Sequence, residues 1–411
     1  MATEKWVKVP SDLGLITQID RAAECDPREA GLSPQGIQRI WAAVESLYRV
    51  GVHPAMTLVI RRRGRVVMKR AIGGLRGNGP GETGPVTTLS PDAPICLFSA
   101  SKAISALLLH KLVEDDCLSL DDRVAKHIPA FAAHGKDGVT IRQLLAHRAG
   151  IPTLPVKHPD PSLLQHWDAL VHLLCLSPPE DPRFERQAYH ALTVGFIVGE
   201  IIRRVSGREL REVLRDTLTG PLKLDSMTFG LSPERRASSP LSYGTGPAPV
   251  WPLTQYVKRI LGVSFERAAT AANEDAFLSS VVPSGNIFAS ADDTSRLFQM
   301  LLNGGTLDGV RVLRPETVAE AIRPVGRLQY DGILMVPMRF SAGFMRGESP
   351  FGLFGPGSRE AYGHLGFVSV LCWADPRREL SVALLNTGKS VSPLGAVQWL
   401  RLISTITRVC S

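Results

Sequence analysis

The sequence predicts an α+β protein in which helices flank one antiparallel β-sheet and a mostly helical region is inserted into the chain. The two ends have mirrored patterns, because a helix and β-rich runs lie near the N-terminus, while β-rich runs and a helix lie near the C-terminus. Elements with one apolar face must bury it against another layer, so the two ends are expected to share one sheet. We therefore predict a sheet domain formed by 1–125 together with 275–411, and a mostly helical region at 126–274.

The N-terminal part is predicted to form a helix and a hairpin. In "LSPQGIQRIWAAVESLYRV", Ser33 suits the N-cap, Pro34 suits the first helical position, and apolar residues recur at helical spacing. The next segment, "AMTLVIRRRGRVVMKRAIGG", has two β-rich runs around a basic turn that contains Gly64. Such runs on either side of a glycine-containing turn indicate an antiparallel hairpin.

The C-terminal part is predicted to form strands and a final helix. The β-rich runs "GHLGFVSVLCWADP" and "ELSVALLNT" are expected to be two strands joined by a turn around Asp375 and Pro376. An amphipathic helix is expected from about Pro393 to Val409. Between the two ends, segments such as "TIRQLLAHRAG" and "AYHALTVGFIVGEIIRRVSG" carry the apolar spacing of helices.

Composition limits the class of protein. The chain has 411 residues, of which 44% are hydrophobic and 21% charged, so it can bury a large core. Its formal net charge is +8, but the basic residues are spread along the chain, and nucleic-acid binding is not expected. The initial "MATEKWVKVPSDLG" has no long apolar core, and no later run approaches the roughly 18 apolar residues of a membrane helix. These features favour a cytoplasmic protein without a membrane span.

No metal or organic cofactor is expected. The six cysteines form no C-x-x-C pair, and His127, His134 and His158 lack the short spacing of paired metal ligands. The chain also has no G-x-S-x-G sequence, which argues against the nucleophile elbow of an α/β-hydrolase.

Ser99 and Lys102 are the candidate catalytic pair. They lie in "CLFSASKAISALLLHKLVEDDCLSL", three residues apart at the start of an apolar run with helical spacing. Residues i and i+3 of a helix share a face, so Lys102 could serve as the base that a serine needs to become a nucleophile. The helix N-terminus would favour a developing oxyanion, and burial would lower the pKa of the lysine. The alternative is structural, because serine is also a favoured N-cap residue.

The order of several segments resembles a known family. "FSASK" is followed by "VTIRQLLAHRAGIP", by "YHALTVGFIVGEIIRRVSG" and, at a late strand, by "YGHLGFVSVLCWADP". In this order and spacing the chain resembles the serine β-lactamase and penicillin-binding superfamily, specifically its class C-like branch, which includes the family VIII carboxylesterases. The resemblance covers about 30–409 and implies a β-lactamase/transpeptidase-like fold with a serine that forms an acyl-enzyme.

The resemblance also implies roles for single residues. The family motif Y-x-N corresponds to Tyr189-His190-Ala191, in which Tyr189 would relay a proton between nucleophile, lysine and leaving group. Ala191 departs from the motif, since it lacks the amide that contacts the amide side chain of a β-lactam. His147, in "LLAHRAG", is expected to be structural.

The third family motif, K-T-G, corresponds to His364-Leu365-Gly366. An imidazole there lacks the fixed positive charge that holds a substrate carboxylate, which favours neutral esters. The resemblance implies that Gly366 lets the backbone approach the substrate and that the N–H of Phe367 joins that of Ser99 in binding the oxyanion. The alternative for His364 is a buried histidine without a substrate role.

These patterns predict a serine carboxylesterase that acts on a small-molecule ester. Trp251, Tyr256 and Phe265 are expected to provide an apolar wall for the acyl or alcohol group. Three other functions are compatible with the same patterns. Two are enzymatic, namely an acyltransferase that uses the same acyl-enzyme and a β-lactamase or D-alanyl peptidase. The third is a non-catalytic binding protein on the same scaffold.

Overall fold

The structure is a computed structural model that describes residues 5–156 and 160–411. In these ranges the chain forms strands, most of them in one central sheet, and helices on both faces of that sheet. The strands are β1 (Thr17–Ile19), β2 (Ala55–Arg62), β3 (Arg65–Arg76), β4 (Thr87–Thr88), β5 (Ile95–Cys96), β6 (Thr228–Phe229), β7 (Tyr243–Gly244), β8 (Ile287–Ala289), β9 (Thr306–Leu307), β10 (Val310–Arg311), β11 (Gln329–Tyr330), β12 (Pro337–Met338), β13 (Met345–Arg346), β14 (Tyr362–Leu365), β15 (Leu371–Asp375), β16 (Leu380–Asn386) and β17 (Gly388–Lys389). The helices are α1 (Pro34–Tyr48), α2 (Ser101–Glu114), α3 (Val124–His127), α4 (Ile141–Leu145), α5 (Trp167–Cys175), α6 (Thr193–Ser206), α7 (Leu210–Leu214), α8 (Gly220–Leu222), α9 (Pro233–Arg236), α10 (Leu253–Leu261), α11 (Phe265–Ala271), α12 (Asp275–Ser279), α13 (Ala291–Leu302), α14 (Pro315–Ile322) and α15 (Pro393–Val409).

The central sheet has eight strands and joins the two ends of the chain. Its order is β1-β3-β2-β16-β15-β14-β13, with β4 paired to β3. Strand β2 of the N-terminal hairpin pairs antiparallel with β16, from Met56 opposite Asn386 to Arg62 opposite Leu380. The predicted antiparallel sheet, shared by both ends of the chain, is therefore confirmed.

Helices cover both faces of this sheet. On one face α1 packs against α15, and Trp41 and Ile403 belong to a core that also contains Leu58 and Ile60 of β2. Because successive strand residues point to opposite faces, Val59 belongs to a second core on the other side. Helices α2 and α13 lie on that second face, with α13 packed across β2, β15 and β16.

The terminal helices have the bounds that the sequence predicts. Helix α1 begins at Pro34, and the Ser33 hydroxyl accepts a hydrogen bond from the Gly36 N–H at 3.0 Å, as an N-cap should. Helix α15 runs from Pro393 to Val409. The predicted N-terminal hairpin is also present, since β2 and β3 pair antiparallel.

One predicted strand is wrong in its extent. The run "GHLGFVSVLCWADP" forms two strands, β14 and β15, which pair antiparallel with each other. The chain turns between them, where the Gly366 N–H donates to Val370 O at 2.7 Å and Val368 adopts a positive φ of 69°. The composition of the run is β-rich throughout, so periodicity alone does not reveal this turn.

The middle of the chain is largely helical. Helices α3 to α12 lie between Val124 and Ser279, and the strands there, β6 and β7, have two residues each. Strand β6 pairs with β8, which also pairs with β5 just before Ser99. The division into a sheet domain and a separate helical region at 126–274 stays a prediction.

In the part of the chain that the structure describes, none of the helices combines the length and the hydropathy needed to cross a membrane.

Candidate active site

Ser99 lies in a short 3₁₀ turn, Phe98–Ala100, that leads directly into α2. Helix α2 begins at Ser101, with Ala100 in the N-cap position and no side-chain capping bond. The structural alternative, in which Ser99 caps the helix, is therefore wrong. Its hydroxyl is available for other contacts at the N-terminal end of a 14-residue helix.

Lys102 Nζ lies at the centre of a small set of oxygen atoms. It is 3.1 Å from Ser99 Oγ, 2.7 Å from the carbonyl oxygen of Ala191 and 3.1 Å from that of Ser284. The predicted spacing of three residues thus does bring the serine and the lysine together. The two carbonyl groups come from distant segments and hold the amine against the hydroxyl.

Burial favours the neutral form of Lys102. The side chain is buried, and loss of solvation lowers the pKa of Lys102 well below its usual value. A neutral amine has two N–H donors, which suit the two carbonyl oxygens, and one lone pair, which then faces Ser99 Oγ. Lys102 is therefore arranged to accept the proton of the Ser99 hydroxyl.

Tyr189 is buried beside this pair. Its ring centroid lies 4.9 Å from Lys102 Nζ, and its backbone N–H donates to Asp331 Oδ1 at 3.0 Å. Burial raises the pKa of Tyr189, a hydrogen bond with Ser99 opposes this, and the charge of Asp331 adds to it. The phenol is accordingly protonated near neutral pH and can donate a proton to a group at Ser99.

Two buried histidines pack behind Tyr189. The His147 ring lies 4.7 Å from the Tyr189 ring, and its Nδ1 accepts from the His190 N–H at 3.1 Å. His190 Nδ1 donates to Ala188 O at 2.6 Å, while its Nε2 accepts from the Ile151 N–H at 3.2 Å. Burial lowers the pKa of His147 well below its usual value and that of His190 to about 4. Both rings are neutral and support the tyrosine.

His364 is also a buried, neutral histidine. Its ring centroid lies 6.1 Å from that of Tyr189, and its Nδ1 donates to Leu365 O at 2.7 Å. Burial is the main cause that lowers the pKa of His364 to about 3. With the proton on Nδ1, Nε2 is an acceptor. His364 therefore brings no positive charge to the position that the resemblance assigns to the K-T-G lysine.

Gly366 is required by a close approach within the chain. A Cβ atom at this position would lie 2.5 Å from the carbonyl oxygen of Leu97, just before the turn that carries Ser99. Only glycine lets the β14–β15 turn approach the Leu97 carbonyl oxygen so closely. Within the described residues, the backbone N–H groups of Ser99 and of Phe367, which follows Gly366, have no hydrogen-bond partner. Both are free to bind an oxyanion.

Aromatic contacts hold the two turns together. The Phe367 ring lies 5.5 Å from the Phe98 ring and 5.3 Å from the Phe265 ring. Phe98 has a positive φ of 47°, which non-glycine residues rarely adopt. Strained backbone of this kind persists where its surroundings fix it, and it is common at functional sites.

An apolar cavity of about 150 Å³ opens beside Ser99. Its walls include side chains from four separate segments, with Leu163, Leu170, Ala268 and Phe277 as examples. The prediction that Trp251, Tyr256 and Phe265 form the apolar wall of this cavity is mostly wrong. Apolar periodicity does not tell which side of a helix faces a distant site. Trp251 is 79% exposed, Tyr256 donates its hydroxyl to Ile333 O at 2.8 Å, and Phe265 reaches the cavity only through Phe367.

Two residues at the site have no recognisable sequence signal. Ser284 provides one of the carbonyl oxygens that hold Lys102. The buried Asp331 accepts the N–H groups of Tyr189, Ile333 and Leu334 at one carboxylate oxygen and so fixes the backbone of the tyrosine. Burial raises the pKa of Asp331, and these hydrogen bonds oppose the shift.

The other histidines considered as metal ligands lie elsewhere. His127 Nε2 is 3.1 Å from Asp122 Oδ2. His158 is outside the described residues. Across 5–156 and 160–411, no group of three or more His, Cys, Asp or Glu side chains is arranged to hold a metal ion.

Comparison with known proteins places this chain in a family. The model of the Beta-lactamase family matches residues 43–404. The "Esterase/beta-lactamase LipL" of Mycobacterium tuberculosis is 28% identical over 316 residues, which cover 74% of this chain and 71% of LipL.

Solved structures have the same fold. A penicillin-binding protein homolog from Caulobacter crescentus is 28% identical, with a TM-score of 0.77 over 92% of this chain and 98% of that one. A family VIII carboxylesterase is 23% identical, with a TM-score of 0.77 over the same shares of the two chains. At this lower identity the likeness shows the fold alone.

The class of the protein is a hydrolase of the serine β-lactamase fold. The chain belongs to the Beta-lactamase family, whose model covers most of its length. The resemblance predicted from "FSASK" and the later segments is confirmed.

Proposed function

We propose that this chain is a serine carboxylesterase with Ser99 as its nucleophile. The observation that carries the proposal is the position of Lys102 Nζ, 3.1 Å from Ser99 Oγ and held by the carbonyl oxygens of Ala191 and Ser284. A serine becomes nucleophilic when a base at hydrogen-bond distance takes its proton. The lowered pKa of Lys102 provides that base in its neutral form.

Acylation begins when Ser99 Oγ attacks the carbonyl carbon of the ester and its proton passes to Lys102. The C–O bond to the alcohol then breaks, and the alcohol oxygen takes a proton from the Tyr189 phenol, which recovers one from Lys102. The negative charge on the carbonyl oxygen is bound by the N–H groups of Ser99 and Phe367. The products of this step are the free alcohol and an acyl group on Ser99.

Deacylation uses the same groups in reverse. A water molecule attacks the acyl carbonyl carbon and gives its proton to the pair formed by Lys102 and Tyr189. The bond between the acyl carbon and Ser99 Oγ breaks, and Ser99 recovers its proton. The carboxylic acid leaves, and the enzyme returns to its starting state.

The charges around the site favour neutral esters over β-lactams and peptides. A β-lactam or a peptide C-terminus carries a carboxylate, which a fixed cation would hold. His364 is neutral at the position of that cation, because burial lowers its pKa to about 3. Ala191 offers a backbone carbonyl to Lys102 and has no side-chain amide for the substrate. The name of the relative LipL includes both esterase and beta-lactamase, so the preference for esters rests on the charges at the site.

The test is hydrolysis of p-nitrophenyl butyrate by the wild type, Ser99→Ala and Ser46→Ala. We expect Ser99→Ala to lose about 10³-fold or more in kcat/KM, as nucleophile removal does in other serine hydrolases. Ser46 lies on α1, outside the site, so Ser46→Ala should match the wild type. Intact-mass measurement of the wild type should show a butyryl adduct that Ser99→Ala lacks.

Two outcomes would contradict the proposal. Equal rates in the wild type and Ser99→Ala would remove Ser99 as the nucleophile. Turnover of a chromogenic cephalosporin faster than that of the ester would move the substrate class from esters to lactams.

A further inference from the structure

The cavity beside Ser99 has a wall that is almost wholly apolar. Leu163 belongs to a short 3₁₀ turn, Leu170 to α5, Ala268 to α11 and Phe277 to α12, so four separate segments contribute to it. A cavity of about 150 Å³ lined by apolar groups is large enough for a benzene-sized molecule. It therefore has room for an aliphatic group of about six carbons.

The position of the cavity tells which half of an ester it would hold. Its described lining includes Ser99 and Phe367, together with Ala191 and Ser284, whose carbonyl oxygens hold Lys102. The proton-transferring groups Lys102 and Tyr189 themselves are not among the described lining residues. The leaving alcohol must receive its proton from that pair, so it lies on their side of Ser99. The acyl group stays on Ser99 Oγ with its carbonyl oxygen at the Phe367 N–H, and both of these residues line the cavity.

The charged residues of the cavity do not provide a binding partner for an anion. Asp160 is exposed and its carboxylate accepts the Ser162 N–H at 2.8 Å. The Arg267 guanidinium is 41% exposed and pairs with Glu274, with Nη2 3.0 Å from Oε2. The Asp160 carboxylate and the Arg267 guanidinium thus each have a partner within the protein, and both side chains are accessible to solvent. The deeper part of the cavity therefore suits an uncharged chain.

We propose that the substrate is an ester of a medium-chain aliphatic acid, and that this cavity is its acyl-binding site. The inference rests on the proposed function, because it assigns one half of the ester that Ser99 attacks. Each methylene buried in an apolar site raises kcat/KM by about fourfold. We expect the rate to rise from acetate to about hexanoate and then to level off, because a longer chain extends beyond the cavity.

The first experiment varies each half of the ester in turn. A series of p-nitrophenyl esters from acetate to decanoate keeps the leaving group constant, and a series of alkyl acetates from methyl to hexyl keeps the acyl group constant. The inference requires the rise in kcat/KM in the first series. A rise confined to the second series would overturn it, since the cavity would then hold the alcohol.

The second experiment fills the cavity. Ala268 lines it, whereas Thr270 is exposed and lies on the opposite side of α11, so Ala268→Phe and Thr270→Phe are a matched pair. We expect Ala268→Phe to lose about tenfold or more on hexanoate with little change on acetate. Thr270→Phe should keep the wild-type ratio of the two rates.

The outcomes separate this inference from the proposed function. If the wild type hydrolyses no ester, the proposed function fails. If it hydrolyses esters and Ala268→Phe, folded by circular dichroism, keeps the wild-type ratio of hexanoate to acetate, the acyl-binding site fails while the esterase stands. Ala271→Leu, which adds less volume at a second wall position, replaces Ala268→Phe if that variant does not fold.

Discussion

A second buried lysine lies behind the turn that carries Ser99. Lys389 Nζ is 4.6 Å from the ring centroid of Phe98, and it donates to the backbone and side-chain oxygens of Asn386 at 2.9 and 3.2 Å. Burial lowers the pKa of Lys389 from 10.5 to about 7, while the nearby Cys96 acts in the opposite direction. The folded protein thus loses the proton of Lys389 far more readily than the unfolded chain does.

This shift predicts how stability depends on pH. Between about pH 7 and 10 the unfolded chain binds a proton at Lys389 that the folded protein lacks, so the free energy of unfolding rises with pH. One such proton contributes about 1.4 kcal/mol per pH unit. In Lys389→Met we expect a correspondingly smaller rise, measured by urea denaturation at pH 7, 8 and 9.

Lys102 contributes equally to the pH dependence of the free energy of unfolding in the wild type and in Lys389→Met. The difference between the two slopes therefore reports on Lys389 alone. Identical slopes would mean that Lys389 stays charged in the folded state.

At the residue scale, local spacing and family motifs predict different parts of the site. Ser99 and Lys102 are predictable because they are neighbours on one turn. Tyr189 and His364 follow from the order of family motifs. Asp331 and Ser284 are not predictable, because their contacts join segments that are distant in sequence and neither lies in a local pattern.

The β14–β15 turn is the element on which the proposed oxyanion site depends. It places the Phe367 N–H near Ser99 only because Gly366 lacks a side chain that would meet Leu97 O. The contact with a backbone carbonyl leaves no flexible group that could move aside. The turn itself would have to shift to accept a Cβ atom.

We expect Gly366→Ala to reduce kcat/KM by about 10²–10³-fold, the usual effect of losing one oxyanion donor. The KM should change less than kcat, because the donor acts mainly in the transition state. Gly138→Ala is the matched control, since a Cβ atom there meets nothing within 4 Å. Kinetics of both variants on p-nitrophenyl butyrate measure the effect, and unchanged activity in Gly366→Ala would exclude Phe367 from the oxyanion site.

Elements with strong end signals are the ones that the sequence predicts best. Ser33 and Pro34 mark the start of α1, and the apolar spacing that begins at Pro393 marks α15. The sequence pattern does not predict that one β-rich run divides into β14 and β15. The turn there depends on Val368 at positive φ and on contacts with Leu97, neither of which a local composition reveals.

On the scale of the whole molecule, the two ends of the chain form one structural unit. Helices α1 and α15 pack together over the strands that both ends contribute, and Trp41 and Ile406 belong to the same core. This unit was predictable because its apolar patterns repeat near both ends. The cavity was not, because its shape depends on how several helices of the middle region pack together.

We expect Ile406→Ala to destabilise the protein by about 2–5 kcal/mol, as removal of a buried isoleucine side chain usually does. Ile406 is fully buried, although only five residues of the given sequence follow it. Because the ends share a core, esterase activity and the fluorescence change on unfolding should disappear over the same range of urea. Loss of activity well before the fluorescence change would show that the ends unfold separately from the site.

The pairing of β2 with β16 also governs when the active site can form during synthesis. Ser99 and Lys102 leave the ribosome early, but β2 has only β3 beside it and lacks its second neighbour, β16, until the residues from Leu380 onward have been made. The Phe367 N–H arrives in the same late part of the chain. Contacts between such distant segments are slow to form, and the exposed edge of β2 must be protected until then. A nascent chain that stops before β16 is therefore expected to carry the nucleophile without the sheet that positions it.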